Sequence, residues 1–231
     1  MEKYPRTPHF HFSPGIGDDD LVLHSFEHLI GQEIVITEKL DGGNCCLKDG
    51  HVFARSHSAP TDNLWFSYTK SMYRSVVQYL VPNPAFALFG ENMEAVHSIN
   101  YTPAGDYALP SSFFLFGVLN RETNDFLSWD EVVEVAQMTE LPTVPLLFRG
   151  TLNHCDQLQQ LIEDGMKSPS AIGPTDPQGA PREGFVVRTV DRFSADQFDR
   201  HVAKFVRQGH VQTNDDFRHK WTRAKIRAGL A

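Results

Sequence analysis

The chain alternates short apolar runs with polar stretches, and the period of that alternation changes along its length. Glu33 to Thr37 is a β-branched run and predicts a strand. Asn44 to Lys48 and His51 to Arg55 flank Asp49-Gly50, a favoured type I′ turn, and predict a hairpin. With Asp49 and Gly50 as its loop, Lys48 faces His51, and counting outward sets Asn44 across from Arg55. Apolar positions at Phe66, Tyr73, Val77 and Leu80 predict a helix over 62–80. Short apolar runs over 85–89 and 113–119 predict buried strands. Ser128 with Glu131 forms a capping box that opens a helix through Met138, and another helix is expected over 156–166. Two more strands are expected over 184–190 and 202–207. Residues 1–20 read as loop, as does 168–182 with its four prolines; a loop that long in a compact domain is functional or disordered. From Thr213 the pattern suggests a basic helix with Phe217, Trp221 and Ala224 on one side. Strands alternate irregularly with helices and include a hairpin, so the class is α+β.

Composition narrows the reading. A chain of 231 residues, 41% apolar and 22% charged, can bury a sizeable core and is not of the disordered class. No apolar run approaches the roughly 20 residues that cross a bilayer, so no membrane partner is expected. The first eight residues lack the apolar centre of a signal peptide. Cys45, Cys46 and Cys155 are odd in number and without CxxC spacing, against a disulfide framework or a structural zinc site; both features point to the cytoplasm. Net charge is −8, but the part from Arg200 onward is +6 and the remainder −14. That asymmetry suits a polyanion partner at one end, or a solvated basic face.

The sharpest string is Glu38-Lys39-Leu40-Asp41-Gly42-Gly43-Asn44. A lysine leaving a strand into a glycine turn has its amine fixed by backbone yet uncrowded, as a covalent nucleophile requires, provided the amine is held neutral. Asn44 and Arg55, as cross-strand neighbours, would aim an amide and a guanidinium at one space, and a guanidinium grips phosphate bidentately. Glu91 follows Gly90 at the end of an apolar strand, where a carboxylate needs a partner. Phe116 shares a strand face with Phe114 and Val118 and reads as core on pattern alone. Glu183 stands at the mouth of a strand, on the side of Phe185 and Val187, and offers the hard oxygen a divalent ion prefers. Lys204 shares a face with Val202 and Val206, so its amine emerges from an apolar surface and calls for an anion, or else snorkels from an edge strand. His24 and His28 lack a third zinc ligand of recognisable spacing. Gly15-Ile16-Gly17 lacks the strand and helix of a dinucleotide fingerprint.

Glu38-Lys39-Leu40-Asp41-Gly42 resembles motif I of the covalent nucleotidyltransferases, the polynucleotide ligases and RNA capping enzymes. Ala54-Arg55-Ser56 resembles motif Ia, Leu88-Phe89-Gly90-Glu91 motif III, and Phe114-Leu115-Phe116-Gly117 motif IIIa. Glu183-Gly184-Phe185-Val186-Val187-Arg188 resembles motif IV and Val202-Ala203-Lys204-Phe205 motif V. The order is that of the family and spans 38–207. Asn44 and the isolated Arg55 are similar to the phage RNA ligase 2 branch more than to DNA ligases.

The resemblance implies a nucleotidyltransferase fold: two packed, mainly antiparallel sheets with flanking helices and the nucleotide between them. It implies an adenylation domain over 1–207 and a basic, helical tail over 208–231 that is too short for an OB domain. ATP and Mg²⁺ (or Mn²⁺) are the implied cofactors. By resemblance Lys39 carries the adenylate, Arg55 and Lys204 are catalytic, and Lys204 also meets the α-phosphate. Glu38, Asn44, Glu91 (on the ribose) and Phe116 (on the purine) bind nucleotide, and Glu183 holds the metal. The implied activity joins 3′-OH and 5′-phosphate RNA ends, in a nicked duplex or at broken ends. DNA nick sealing, GTP-dependent capping, and a nucleotide-binding module without turnover are the alternatives. The 168–182 loop and the basic tail are expected to grip nucleic acid, with an affinity that falls as salt rises. One departure stands out: related ligases often place a second lysine two residues after the first in motif V, where this chain has Val206.

Overall fold

Strand-forming residues dominate the middle of the chain, and they assemble into two six-stranded sheets and one small pair. The computed structural model describes residues 3–55, 59–102, 107–173, 179–209 and 221–227. The first sheet holds β1 (His9–Phe10), β2 (Val22–Leu23), β3 (Glu33–Lys39), β10 (Leu146–Thr151), β11 (Gly184–Thr189) and β13 (Val202–Val206), in the order β10-β3-β11-β13-β1-β2. It is antiparallel except where β1 joins β13 and β2. The second holds β4 (Gly43–Lys48), β5 (His51–Ala54), β6 (Phe86–Asn92), β8 (Phe113–Asn120), β9 (Asp125–Phe126) and β12 (Phe193–Ser194). Its order is β12-β9-β8-β6-β4-β5, antiparallel throughout. The small pair is β7 (Ala95–Val96) with β14 (Thr222–Arg223). This is the expected α+β architecture.

Local chemistry explains the elements that agree with the pattern. Asp49 and Gly50 have φ of 51° and 72°, positive at both positions as a type I′ turn demands, and Lys48 faces His51. The ladder runs to Cys45–Ala54 and stops one step short of Asn44 and Arg55. The 62–80 helix starts as a 3₁₀ turn at Leu64–Phe66, continues as α1 (Ser67–Met72), widens to a π turn at Tyr73–Val77 and ends as α2 (Gln78–Leu80). It buries Phe66, Tyr73 and Val77 but leaves Leu80 exposed. The capping box opens α3 (Trp129–Met138): the Glu131 amide donates to Ser128 Oγ at 3.3 Å and the Ser128 amide to Glu131 Oε2 at 3.0 Å. The later helix is α4 (Cys155–Gly165), and a single turn, α5 (Phe198–His201), precedes β13.

Three expectations are corrected. The 1–20 stretch is not all loop, because β1 pairs with β13 far along the chain. β10 was not expected; it pairs with β3 as an outer strand with little burial, and its apolar Leu146-Leu147-Phe148 is cut short by Pro145 on one side and Arg149-Gly150 on the other. Of the basic C-terminal helix, residues 213–220 lie outside the described residues, while Thr222–Arg223 is strand and Ile226 bridges Leu109.

Packing leaves one face free for chemistry. Ile34, Ile36, Phe185, Val187, Ala203 and Phe205 cover the back of the first sheet and pack on Leu158 and Ile162 of α4. A second cluster joins Val35 to Leu47, Leu88, Phe113 and Leu115 of the second sheet and to Trp129 and Val132 of α3. Each such side chain contributes about 1.5–3 kcal/mol by leaving water. The alternate residues of β3, β11 and β13 (Thr37, Lys39, Val186, Arg188, Val202 and Lys204) therefore point away from the back layer and line a cavity between the sheets.

Candidate active site

The cavity has a volume of about 1060 Å³ and takes its walls from both sheets and from residues 4–20. Lys39, Arg55, Lys204, Glu38, Asn44, Glu91, Phe116 and Glu183 all lie along it, although 166 positions separate the first of them in the chain from the last. β3 and β11 pair with Gly184 opposite Lys39. That register brings the Lys39 ammonium within 2.7 and 2.8 Å of the two Glu183 oxygens.

Glu183 corrects its expected direction. It precedes β11, so the two-residue alternation does not reach it, and it turns into the cavity while Phe185 and Val187 face the back layer. The Glu183 carbonyl accepts the Arg207 amide at 2.9 Å, which ties it to the end of β13.

The resting electrostatics also differ from the expectation of a neutral amine. Burial disfavours the Lys39 ammonium, but Glu183, Glu91 and Asp41 outweigh it and raise its pKa above the ordinary lysine value. Glu91 sits across from Asn44 on β4 and β6 and accepts the Gly42 amide at 3.2 Å. Burial pushes the Glu91 carboxyl up to about 8 against the pull of Lys39. Asp41 is held by the Ser98 amide and hydroxyl, both at 2.8 Å, and by the Ile99 amide at 2.6 Å. Acidic groups thus outnumber the ammonium at this wall.

Lys204 projects from β13 between Val202 and Val206, as the alternation requires. Burial lowers its pKa, Lys39 and Arg55 push the same way, and Asp20 opposes. Position 206, where a second lysine was expected, is 4% exposed, and the Gly15 amide donates to its carbonyl at 2.9 Å. Residues 13–15 cover it. Arg55 is exposed on the rim. Asn44 Oδ1 is buried without a hydrogen-bond partner, the state of a group awaiting a ligand.

Phe116 is half-buried, with Tyr4 packed edge-on at 5.0 Å between ring centres, so one ring face is buttressed while the side chain still reaches the cavity. Glu38 is taken up differently from the others. Its carboxylate accepts the Ser170 hydroxyl and, at 2.8 Å, the Ala171 amide, with Arg182 Nε at 3.5 Å. It anchors both described ends of the 168–182 loop.

His9, Asp20, Arg188, Trp65 and Trp221 line the same cavity, a role the sequence pattern did not assign to any of them. Trp221 stacks on His97 at 4.3 Å and meets Trp65 edge-on at 6.0 Å. Among the described residues no group of three or more His, Cys, Asp or Glu side chains could hold a metal by itself, and no helix is long and apolar enough to cross a membrane.

Against known proteins, the RNA ligase family model matches residues 32–206. No curated protein matches the chain by sequence. Among solved structures it is similar to a Naegleria gruberi RNA ligase variant with ATP and Mn, at 22% identity and a TM-score of 0.55, covering 79% of this chain and 52% of that one. The same organism's RNA ligase with PPi gives 20%, 0.55, 83% and 54%. An archaeal ATP-dependent RNA ligase gives 14%, 0.53, 89% and 48%. At these identities the likeness is one of fold. The chain spans about half the length of the ligase chains it matches.

Proposed function

The chain belongs to the RNA ligase family, and on that premise we propose that it joins RNA 3′-OH and 5′-phosphate ends at the expense of ATP, through an adenylate carried on Lys39. The observation that carries this reading is the meeting of Lys39 with Glu183 and Glu91 on one wall of a cavity that also holds Lys204. Lys39 Nζ attacks the α-phosphorus of ATP, a nitrogen–phosphorus bond forms and pyrophosphate leaves. The adenylate passes to an RNA 5′-phosphate; a 3′-hydroxyl then attacks that phosphate and AMP departs.

Each side chain has a task that follows from its position. Lys204 and Arg55 set positive charge beside the phosphates, where charge spreads onto equatorial oxygens during transfer. Phe116 offers a ring face to the purine. Glu91, beside Asn44, is positioned for sugar hydroxyls, and Asn44 Oδ1 gains the partner it lacks.

ATP and a divalent ion, Mg²⁺ or Mn²⁺, fit the donors present. Such an ion is commonly held by one carboxylate together with substrate phosphates and water, and Glu183 is a hard-oxygen ligand in a wall that also holds the Glu91 and Asp41 carboxyl groups. Bound there, the ion would neutralise Glu183 and phosphate charge and so weaken the largest attraction that keeps Lys39 protonated. We keep residues 1–207 as the adenylation domain, noting that Ala224 and Ile226 of the following stretch pack on its central core.

The test is incubation with ATP or GTP and Mg²⁺ followed by mass spectrometry. A gain of one AMP on Lys39, absent with GTP and in Lys39→Ala, is the expected result. Labelling by GTP would indicate capping chemistry, and no labelling a binding module. Strand-swapped nicked substrates then separate RNA from DNA joining.

A further inference from the structure

Beside Lys204 lie two ionisable groups that the transfer steps above do not use. β1 runs parallel to β13 with His9 opposite Lys204, and both residues line the cavity. His9 is 1% exposed; its Nδ1 meets Ser13 Oγ at 3.0 Å, and its Nε2 is buried with no hydrogen-bond partner. The Asp20 carboxylate stands between His9 and Lys204. Its Oδ2 is 3.3 Å from His9 Nε2 and its Oδ1 3.8 Å from Lys204 Nζ. Both separations exceed the roughly 2.7–2.9 Å of a charge-assisted hydrogen bond, so the carboxylate bridges a cradle it does not fill.

Asp20 is placed there by a turn rather than by the core. The Gly17 amide donates to Asp20 Oδ2 at 3.0 Å, and the Asp20 amide donates back to the Gly17 carbonyl at 3.1 Å. The start of this loop is fastened to β13: Ser13 Oγ accepts the Val206 amide at 2.9 Å and lies 3.2 Å from its carbonyl, and its single proton goes to the nearer His9 Nδ1, so the neutral imidazole carries its own proton on Nε2. The far end is held as well, since the His9 amide donates to the Leu21 carbonyl at 2.7 Å and Arg6 to the Asp19 carbonyl, so the movable part is the Asp20 side chain within its turn and not the whole loop. His9, buried on its strand, does not move with it.

We propose that His9 and Lys204 form an anion subsite for a polyphosphate group, and that the Asp20 carboxylate occupies this subsite until the anion displaces it. A phosphate chain brings several negative oxygens where Asp20 brings one charge, so it competes favourably for the same two side chains, and its repulsion of the Asp20 carboxylate turns that side chain outward. That the physiological anion is the phosphate chain of ATP, or the pyrophosphate made from it, rests on the ligase reading; the subsite itself does not.

The test measures binding of inorganic tripolyphosphate to the full chain by titration calorimetry at fixed ionic strength. Asp20→Asn keeps an acceptor for the Gly17 amide but removes the competing charge, and is expected to bind about tenfold more tightly. His9→Leu is expected to bind about tenfold more weakly, with its melting temperature confirming the fold. Asp18→Asn makes the same change in net charge and should stay within about twofold of the parent. An Asp20→Asn protein no tighter than Asp18→Asn, or a His9→Leu protein that binds like the parent, overturns the proposal. AMP transfer to Lys39 in the same preparations reports on the ligase reading separately. A chain that shows the tripolyphosphate pattern without taking AMP keeps the subsite and loses the ligase reading; one that takes AMP but lacks the pattern does the reverse.

Discussion

Gly184 is where fold and chemistry meet most tightly, and Gly184→Ala is the perturbation with the clearest expected size. A Cβ built there would lie 1.9 Å from the Phe205 carbonyl oxygen, 2.9 Å from its carbon and 3.0 Å from Val206 Cα. All three are backbone atoms of β13, so no side-chain rotation relieves the clash; β11 and β13 must separate. Overpacking of this kind costs about 2–3 kcal/mol, which for a domain of this size lowers the melting temperature by roughly 4–12 °C. The separation also moves Glu183, the preceding residue, away from Lys39 on one side and loosens its bond to Arg207 on the other. Thermal unfolding and the yield of Lys39 adenylate, measured below the melting point of the variant, should therefore both fall. A variant that melts within a degree of the parent, or one that is destabilised yet takes AMP at the parental rate, would refute the link between this strand contact and the placement of Glu183.

Other outcomes follow from the same geometry. Glu38→Ala leaves the Ser170 hydroxyl, the Ala171 amide and Arg182 without their buried acceptor, so a loss of about 2–3 kcal/mol in urea unfolding and faster proteolysis within 168–173 are expected. Phe116→Leu removes a ring face while its half-buried site is still filled; ATP affinity should drop about tenfold, since stacking on a base contributes about 1–3 kcal/mol, with melting almost unchanged. His9 is held neutral mainly by burial, helped by Lys204 and opposed by Asp20, so its pKa falls from 6.5 to about 4. Below about pH 6.5 the unfolded chain takes a proton that the folded chain refuses. Stability should decline from there down to about pH 4, by up to about 3 kcal/mol from this group. Urea unfolding at pH 7 and pH 4.5 should show a smaller decline in His9→Gln than in the parent, and equal declines would contradict the assignment.

Much of the site could be read before any coordinates. The I′ turn at Asp49-Gly50, the capping box at Ser128 and Glu131, and the alternation that turns Lys204 toward Val202 and Val206 are local: each depends on a few neighbouring residues and a period of two or 3.6. The motif order likewise placed Lys39, Glu91, Glu183 and Lys204 in one list. Their juxtaposition was another matter. Lys39 meets Glu183 because β3 and β11, 144 residues apart at the bonded atoms, pair in one register, and that register is chosen by which faces bury Ile34, Ile36, Phe185 and Val187. Two-residue strands such as β1 and β14 carry too little pattern to announce themselves; they form because a long-range partner offers an open edge. For that reason His9, Asp20 and the covering of Val206 emerged only with the tertiary structure. Glu183, one residue outside its strand, turned the opposite way from the alternation because sheet periodicity ends where the ladder does.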